Sequence, residues 1–307
     1  MGPDPQIRRF LERYNSIPGS HEEKKRLIFA DRPARKTTVP LHGVEDRKVE
    51  GTHGDIPVRI YRPGDEPLQH AMVYFHGGGF YMGSIETHDE LCRNIAHYSR
   101  VTVISAEYHL APEYKFPVPV TDAYEVTAWA FDRAGELGLD PQRIGVAGDS
   151  AGGNLAASVT HLAKENRRFS PAFQLLIYPC LYIPGTASMA ENGRGFMSDR
   201  DNIEAGIRMY VRGPEDRRNP LFSPVLFPDF RDLPPALIIT AKYDSLRDDG
   251  IIYAGKLAEA GVPVTYVCYE DMIHGYLTLD MELEQQRNTY DRISEWLKTI
   301  LHPENRR

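Results

Sequence analysis

Apolar positions in this 307-residue chain fall into short runs separated by amphipathic stretches, and the two kinds of segment alternate. Strand-like runs of apolar or β-branched residues occur at Val58–Tyr61, Ala71–Phe75, Val101–Ser105, Arg143–Ala147, Phe173–Tyr178, Ala236–Thr240 and Val264–Tyr269. Several are continuously apolar rather than alternating, as a sheet covered on both faces requires. Between them, helical spacing recurs over Thr121–Glu136, Ala151–Asn166, Leu246–Ala260 and Glu284–Leu301. Thr87-His88-Asp89-Glu90 has capping-box spacing and predicts a helix running towards Ser99. Gly138 or Pro141 closes the third connection. The alternation predicts an α/β fold with a mostly parallel central sheet and helices on both faces.

Two segments break this rhythm. Residues 1–45 are polar, with helix-like stretches at Pro5–Tyr14 and Ser20–Phe29. From Pro184 to Pro224 the chain is rich in Gly, Arg, Asn and Asp, with a helical pattern at Asn202–Val211 and no strand signal. An insertion this long in an α/β domain usually covers something. The expected organisation is an N-terminal cap segment (1–45), a core in two parts (46–183 and 221–307), and a helical cap insertion (184–220).

Composition narrows the class. Hydrophobic residues make up 41% and charged residues 26%, enough apolar material to bury a core, which excludes disorder as the main state. The net charge of −7 and the lack of a basic stripe argue against a nucleic-acid partner. Cys92, Cys180 and Cys268 are too few and too scattered for a disulfide framework. No secretory leader pattern and no apolar run near the ~20 residues of a membrane span are visible. The expectation is a cytoplasmic protein without a membrane span, with a homo-oligomer left open.

The chemistry concentrates in two glycine motifs. Gly148-Asp149-Ser150-Ala151-Gly152 follows the Arg143–Ala147 strand and opens the Ala151–Asn166 helix, the strand–turn–helix setting of a nucleophile elbow. Glycines flank a serine forced onto a sharp turn because strand and helix backbones pass close by. A tight βα turn with an incidental serine is the plainer alternative. His76-Gly77-Gly78-Gly79-Phe80 follows the Ala71–Phe75 strand. Consecutive glycines let backbone amides face an open cleft, as an oxyanion hole needs. A phosphate loop is the competing explanation, but Met82 stands where the dinucleotide fingerprint requires its third glycine, and no Walker lysine exists.

These motifs, with Tyr108-His109-Leu110-Ala111-Pro112-Glu113 and Phe116-Pro117, resemble the hormone-sensitive-lipase family of α/β-hydrolases. Gly148–Asn154 matches its Gly-Asp-Ser-Ala-Gly branch, mostly bacterial carboxylesterases. The resemblance covers roughly residues 45–300. His109 departs from the family's usual arginine, which bears on local packing more than on catalysis. The resemblance implies an α/β-hydrolase fold with a Ser, acid, His order. Lys242-Tyr243-Asp244-Ser245-Leu246-Arg247-Asp248 is similar to the family's acid motif, with Ser245 in place of proline, which points to Asp244; Asp248 and Asp249 fit the first turn of the next helix. Ile273-His274-Gly275-Tyr276 resembles the family's His-Gly-Phe and supplies the base. His76 reads as support for the glycine loop, and His88, His97 and His161 as exposed or helix-packing residues.

The resulting expectation is a serine carboxylesterase using Ser150, His274 and Asp244 on a small-molecule ester of short-to-medium acyl length, with no cofactor and no metal. The oxyanion donors lie among Gly77, Gly78, Gly79 and Ala151. An amide or formamide hydrolase of arylacetamide deacetylase-like or arylformamidase-like type is the alternative. A non-catalytic receptor of the same fold is less favoured, because the catalytic histidine is present.

Overall fold

A computed structural model describes residues 2–20, 23–24, 39–182 and 184–301. One eight-stranded sheet runs through it, in the order β1-β2-β4-β3-β5-β6-β7-β8. The strands are β1 (Gly43–Gly51), β2 (Gly54–Arg62), β3 (Gln69–Phe75), β4 (Thr102–Ala106), β5 (Leu139–Asp149), β6 (Gln174–Ile177), β7 (Ala236–Tyr243) and β8 (Val264–Ile273). β2 pairs antiparallel with β1 and β4, and every pairing from β4 to β8 is parallel.

The helices are α1 (Pro5–Ser16), α2 (Asp89–Ser99), α3 (Val118–Asp132), α4 (Ala151–Asn166), α5 (Ala187–Asn192), α6 (Arg200–Tyr210), α7 (Arg247–Glu259) and α8 (Glu284–Leu301). Their placement explains the unbroken apolar strands. Val73, Phe75, Val146 and Ile238 enter one core cluster with residues of α3, α4 and α7. Their neighbours Met72, Tyr74, Ala147, Leu237 and Ile239 enter a second, with residues of α2 and α8. β3, β5 and β7 therefore bury both of their faces.

Two local expectations need correction. β1 carried no strand signal, and it begins inside the segment expected to end at residue 45. Its sequence, GVEDRKVEG, is half in water, and charge pairs join it to β2 beside the buried Val49 opposite Ile56, as in Arg59–Asp46 at 2.6 Å and Arg62–Glu45 at 3.0 Å. Charged side chains on an edge strand also discourage pairing with other chains. The capping box lies earlier than Thr87–Glu90: Thr87 N donates to Ser84 Oγ (3.1 Å) and Ser84 N to Thr87 Oγ1 (2.9 Å), ahead of a short 3₁₀ turn that leads into α2. The 184–220 insertion holds two helices, α5 and α6, and no strand among its described residues.

The N-terminal helix is well specified. Asp4 caps α1 by accepting from Gln6 N at 2.7 Å, and Pro5 takes the first helical position. Ile7, Leu11 and Tyr14 are buried, while Asn15 Nδ2 donates to Gly195 O (3.2 Å) and so ties α1 to the insertion. The second expected helix, Ser20–Phe29, lies largely outside the described residues.

Candidate active site

β5 ends at Asp149 and α4 begins at Ala151, leaving Ser150 alone on the turn. Its backbone sits at φ 53°, ψ −118°, a region L-residues seldom occupy. Three backbone bonds hold it there: Ser150 N donates to Ile177 O (2.9 Å), while Cys180 N (3.0 Å) and Asn154 N (3.2 Å) donate to Ser150 O. A Cβ at Gly152 would stand 1.9 Å from Phe75 O, so the motif's last glycine is set by close packing of α4 against β3.

His274 follows β8 directly and Asp244 follows β7. The β7–β8 ladder shifts register between Ala241 and Tyr243, just before both residues leave the sheet. Ser150 Oγ lies 2.9 Å from His274 Nε2, and His274 Nδ1 lies 2.8 Å from Asp244 Oδ2. Asp244 is fully buried, and its other oxygen accepts from Leu246 N (2.9 Å) and Ser198 Oγ (3.2 Å). Asp248 faces elsewhere, accepting from Ser188 N at 2.8 Å and pairing with Arg247. Asp249 accepts from Leu181 N (2.9 Å).

The glycine loop rises beside Ser150. Gly78 has φ +131°, and a Cβ there would meet Met82 O at 2.0 Å, so only glycine fits. Gly77 is set apart from its neighbours: its amide donates to Asp149 Oδ1 at 2.8 Å, inside the protein. That leaves Gly78 and Gly79, which line the pocket, and Ala151, whose amide is among the orphan donors at the start of α4. His76 supports the loop from behind, stacking on Tyr108 at 4.3 Å, with Nδ1 2.9 Å from Gly77 O.

Ser150 and His274 open into a cavity of about 70 Å³. Phe80, Tyr81 and Met82 form one wall, and Met197, Ile203 and Ile207 of the insertion form another. Tyr210 stacks on Phe80 at 4.0 Å and seats α6 over the glycine loop. Phe196 of the same insertion stays outside this lining and stacks on Tyr243 (5.4 Å). Among the described residues, no cluster of His, Cys, Asp or Glu is arranged to hold a metal, and no helix is long and apolar enough to cross a membrane.

A family model described as alpha/beta hydrolase fold matches residues 72–278. The chain belongs to that family. An arylesterase of Saccharolobus solfataricus is 37% identical over 285 residues, covering 90% of this chain and 93% of that protein. A carboxylesterase of Mycobacterium tuberculosis is 39% identical, covering 97% of this chain and 96% of that protein. A hyperthermophilic esterase from Pyrobaculum calidifontis has a solved structure with TM-score 0.90 and 38% identity, covering 98% of this chain and 99% of that one. The hormone-sensitive-lipase-type resemblance read from the motifs is thereby borne out.

Two features of this α/β-hydrolase were not legible in its motifs. His88, expected to be exposed or to pack a helix, is buried with Nε2 3.3 Å from Asp149 Oδ1. Burial would raise the Asp149 carboxyl, but the His88 charge and hydrogen bonds from His88, Tyr74 and Gly77 outweigh it and hold the group below its ordinary range. The residue preceding Ser150 is thus an ionised anchor for the glycine loop. At the resemblance's departure, His109 N and Nδ1 each lie 2.8 Å from buried Asp122 Oδ2, so histidine still supplies donors there.

Proposed function

We propose that this α/β-hydrolase is a serine carboxylesterase acting on soluble short-to-medium acyl esters. The observation that carries the reading is the relay Ser150 Oγ, His274 and Asp244, with links of 2.9 and 2.8 Å, opening into the cavity beside Gly78 and Gly79. His274 takes the Ser150 proton as Oγ attacks the ester carbonyl and then passes it to the leaving alcohol. Asp244 fixes the ring orientation and stabilises the imidazolium. The amides of Gly78, Gly79 and Ala151 receive the oxyanion, where one such donor contributes ~2.7–4 kcal/mol to the transition state. Water then releases the acyl group by the same proton route in reverse. The N-terminal segment and the 184–220 insertion act as a cap that narrows the cleft. A cytoplasmic setting, activity without a cofactor and an open oligomeric state belong to the same proposal and come from the sequence. Hydrolysis rates on aryl esters beside matched anilides test it: esters far faster than anilides support the reading, and comparable rates replace it with the amide-hydrolase alternative.

A further inference from the structure

We infer that the insertion over the active site holds the acid of the proposed triad through Ser198 and Ser245, and so sets the basicity of His274. The inference rests on the triad reading above. Asp244 Oδ2 faces His274, while Oδ1 has a partner within its own loop, Leu246 N, and one from outside it, Ser198 Oγ. Ser198 belongs to the insertion and lines the cavity. Ser245 Oγ donates to Ser198 O at 2.5 Å and lies 3.3 Å from Ser198 Oγ. With the Ser245 proton committed to that carbonyl, the Ser198 proton is free for the carboxylate, which only accepts. Ser245 is also where the sequence departs from the proline of the resemblance, and a proline has no hydroxyl to offer.

The surrounding bonds keep the two segments in register. Ser188 Oγ donates to Ser245 O (2.9 Å), and Asn192 Nδ2 donates to Lys242 O (3.1 Å) and Asp244 O (3.3 Å). A donor on Oδ1 stabilises the carboxylate charge and weakens its hold on a protonated imidazole. Without it, charge concentrates on the side facing His274, the imidazolium is stabilised, and a higher pH is needed to free the base. Two other titratable groups face this pair, the Tyr178 phenol and the Cys180 thiol. Burial raises both, with Asp149 and Asp249 the leading charges on them respectively, so they stay neutral throughout the assay range.

The test is the pH profile of kcat/KM on a small soluble ester for wild type, Ser198→Ala, Ser198→Thr, Ser245→Ala and His274→Ala. Ser198→Ala is expected to move the acid limb upward by about half a unit to one unit, with KM changed less than about twofold. Ser245→Ala should move it the same way by less, and Ser198→Thr, which restores the hydroxyl, should return it towards wild type. Should Ser198→Ala fail to fold, Ser245→Ala carries the same directional expectation. A limb that stays in place while only the plateau falls would mean that Ser198 merely packs, and would overturn the inference. A wild-type profile with no acid limb, or activity surviving in His274→Ala, would overturn the triad reading and this inference with it.

Discussion

Acid should unfold this protein through two histidines that it keeps neutral. His161 in α4 stacks on Phe227 at 3.8 Å and meets Phe230 edge-on, with the Tyr253 hydroxyl 3.3 Å from Nε2. Burial, followed by the Lys164 charge, pushes its pKa down to about 3. Burial, followed by the His88 charge, pushes His76 down to about 3 as well. In the unfolded chain both titrate near ~6.5. The folded value is the depressed one, so between these limits the unfolded state binds more protons. Stability is therefore full above about pH 6.5, falls as pH drops, and loses nothing further from these groups below about 3. Near the middle of the window each histidine costs ~1.4 kcal/mol per pH unit, or ~2 kcal/mol by pH 5. Together that is ~4 kcal/mol from a total of ~5–15 kcal/mol. His161→Phe isolates one of them, keeping the ring stack and removing the titrating nitrogens. Urea unfolding at pH 7.5 and 5.0 should show wild type losing ~2 kcal/mol more than the variant across that interval. Equal losses would refute the reasoning, because the constant cost of the missing Tyr253 contact cancels between the two pH values.

Ser150→Ala and His274→Ala should each remove most of the ester-hydrolysing rate, leaving binding and oxyanion contributions; a variant keeping a tenth of wild-type kcat, a loss of only ~1.4 kcal/mol, contradicts the assignment. Asp244→Asn should cripple turnover by presenting the wrong histidine tautomer, whereas Asp248→Asn should act mainly on the seating of α5 and α7; comparing their kcat values and melting temperatures decides between them. With a cavity of about 70 Å³, rates on esters from acetyl to palmitoyl should peak at short-to-medium chains. Each methylene that fits adds ~0.8 kcal/mol, and an overlong chain displaces the carbonyl from Ser150. A maximum at palmitoyl, or activation by an oil–water interface, speaks against this.

What could be read from the sequence were the parts in which one residue type answers one local demand. Gly78, Gly148 and Gly152 mark a backbone that approaches other backbone too closely for a Cβ, a constraint that survives without coordinates. The continuous apolar strands likewise declare burial on both faces. β1 was hidden because its side chains are mostly charged and half-exposed, with Val49 alone buried, and so leave no periodic apolar signal. His88 and Ser198 were hidden for another reason. Each gains its meaning from a partner far along the chain, Asp149 and Asp244 respectively, and neither has a motif of its own. The use of Gly77 could not be resolved from three identical residues in a row; the carboxylate that takes its amide distinguishes it.

The strained backbone of Ser150 puts fitness and stability in opposition at a single position. At φ 53° and ψ −118° a side chain is held against its conformational preference, at a cost of ~1–3 kcal/mol. Glycine would adopt the same turn without that strain, giving back ~0.5–1 kcal/mol of it through the greater freedom of the unfolded chain. The inert Ser150→Gly protein should therefore melt at or above the temperature of the working one. A laboratory lineage selected for heat resistance alone has a downhill path at residue 150 that ends in loss of the nucleophile. Only a screen that demands turnover in every round will keep the serine in place.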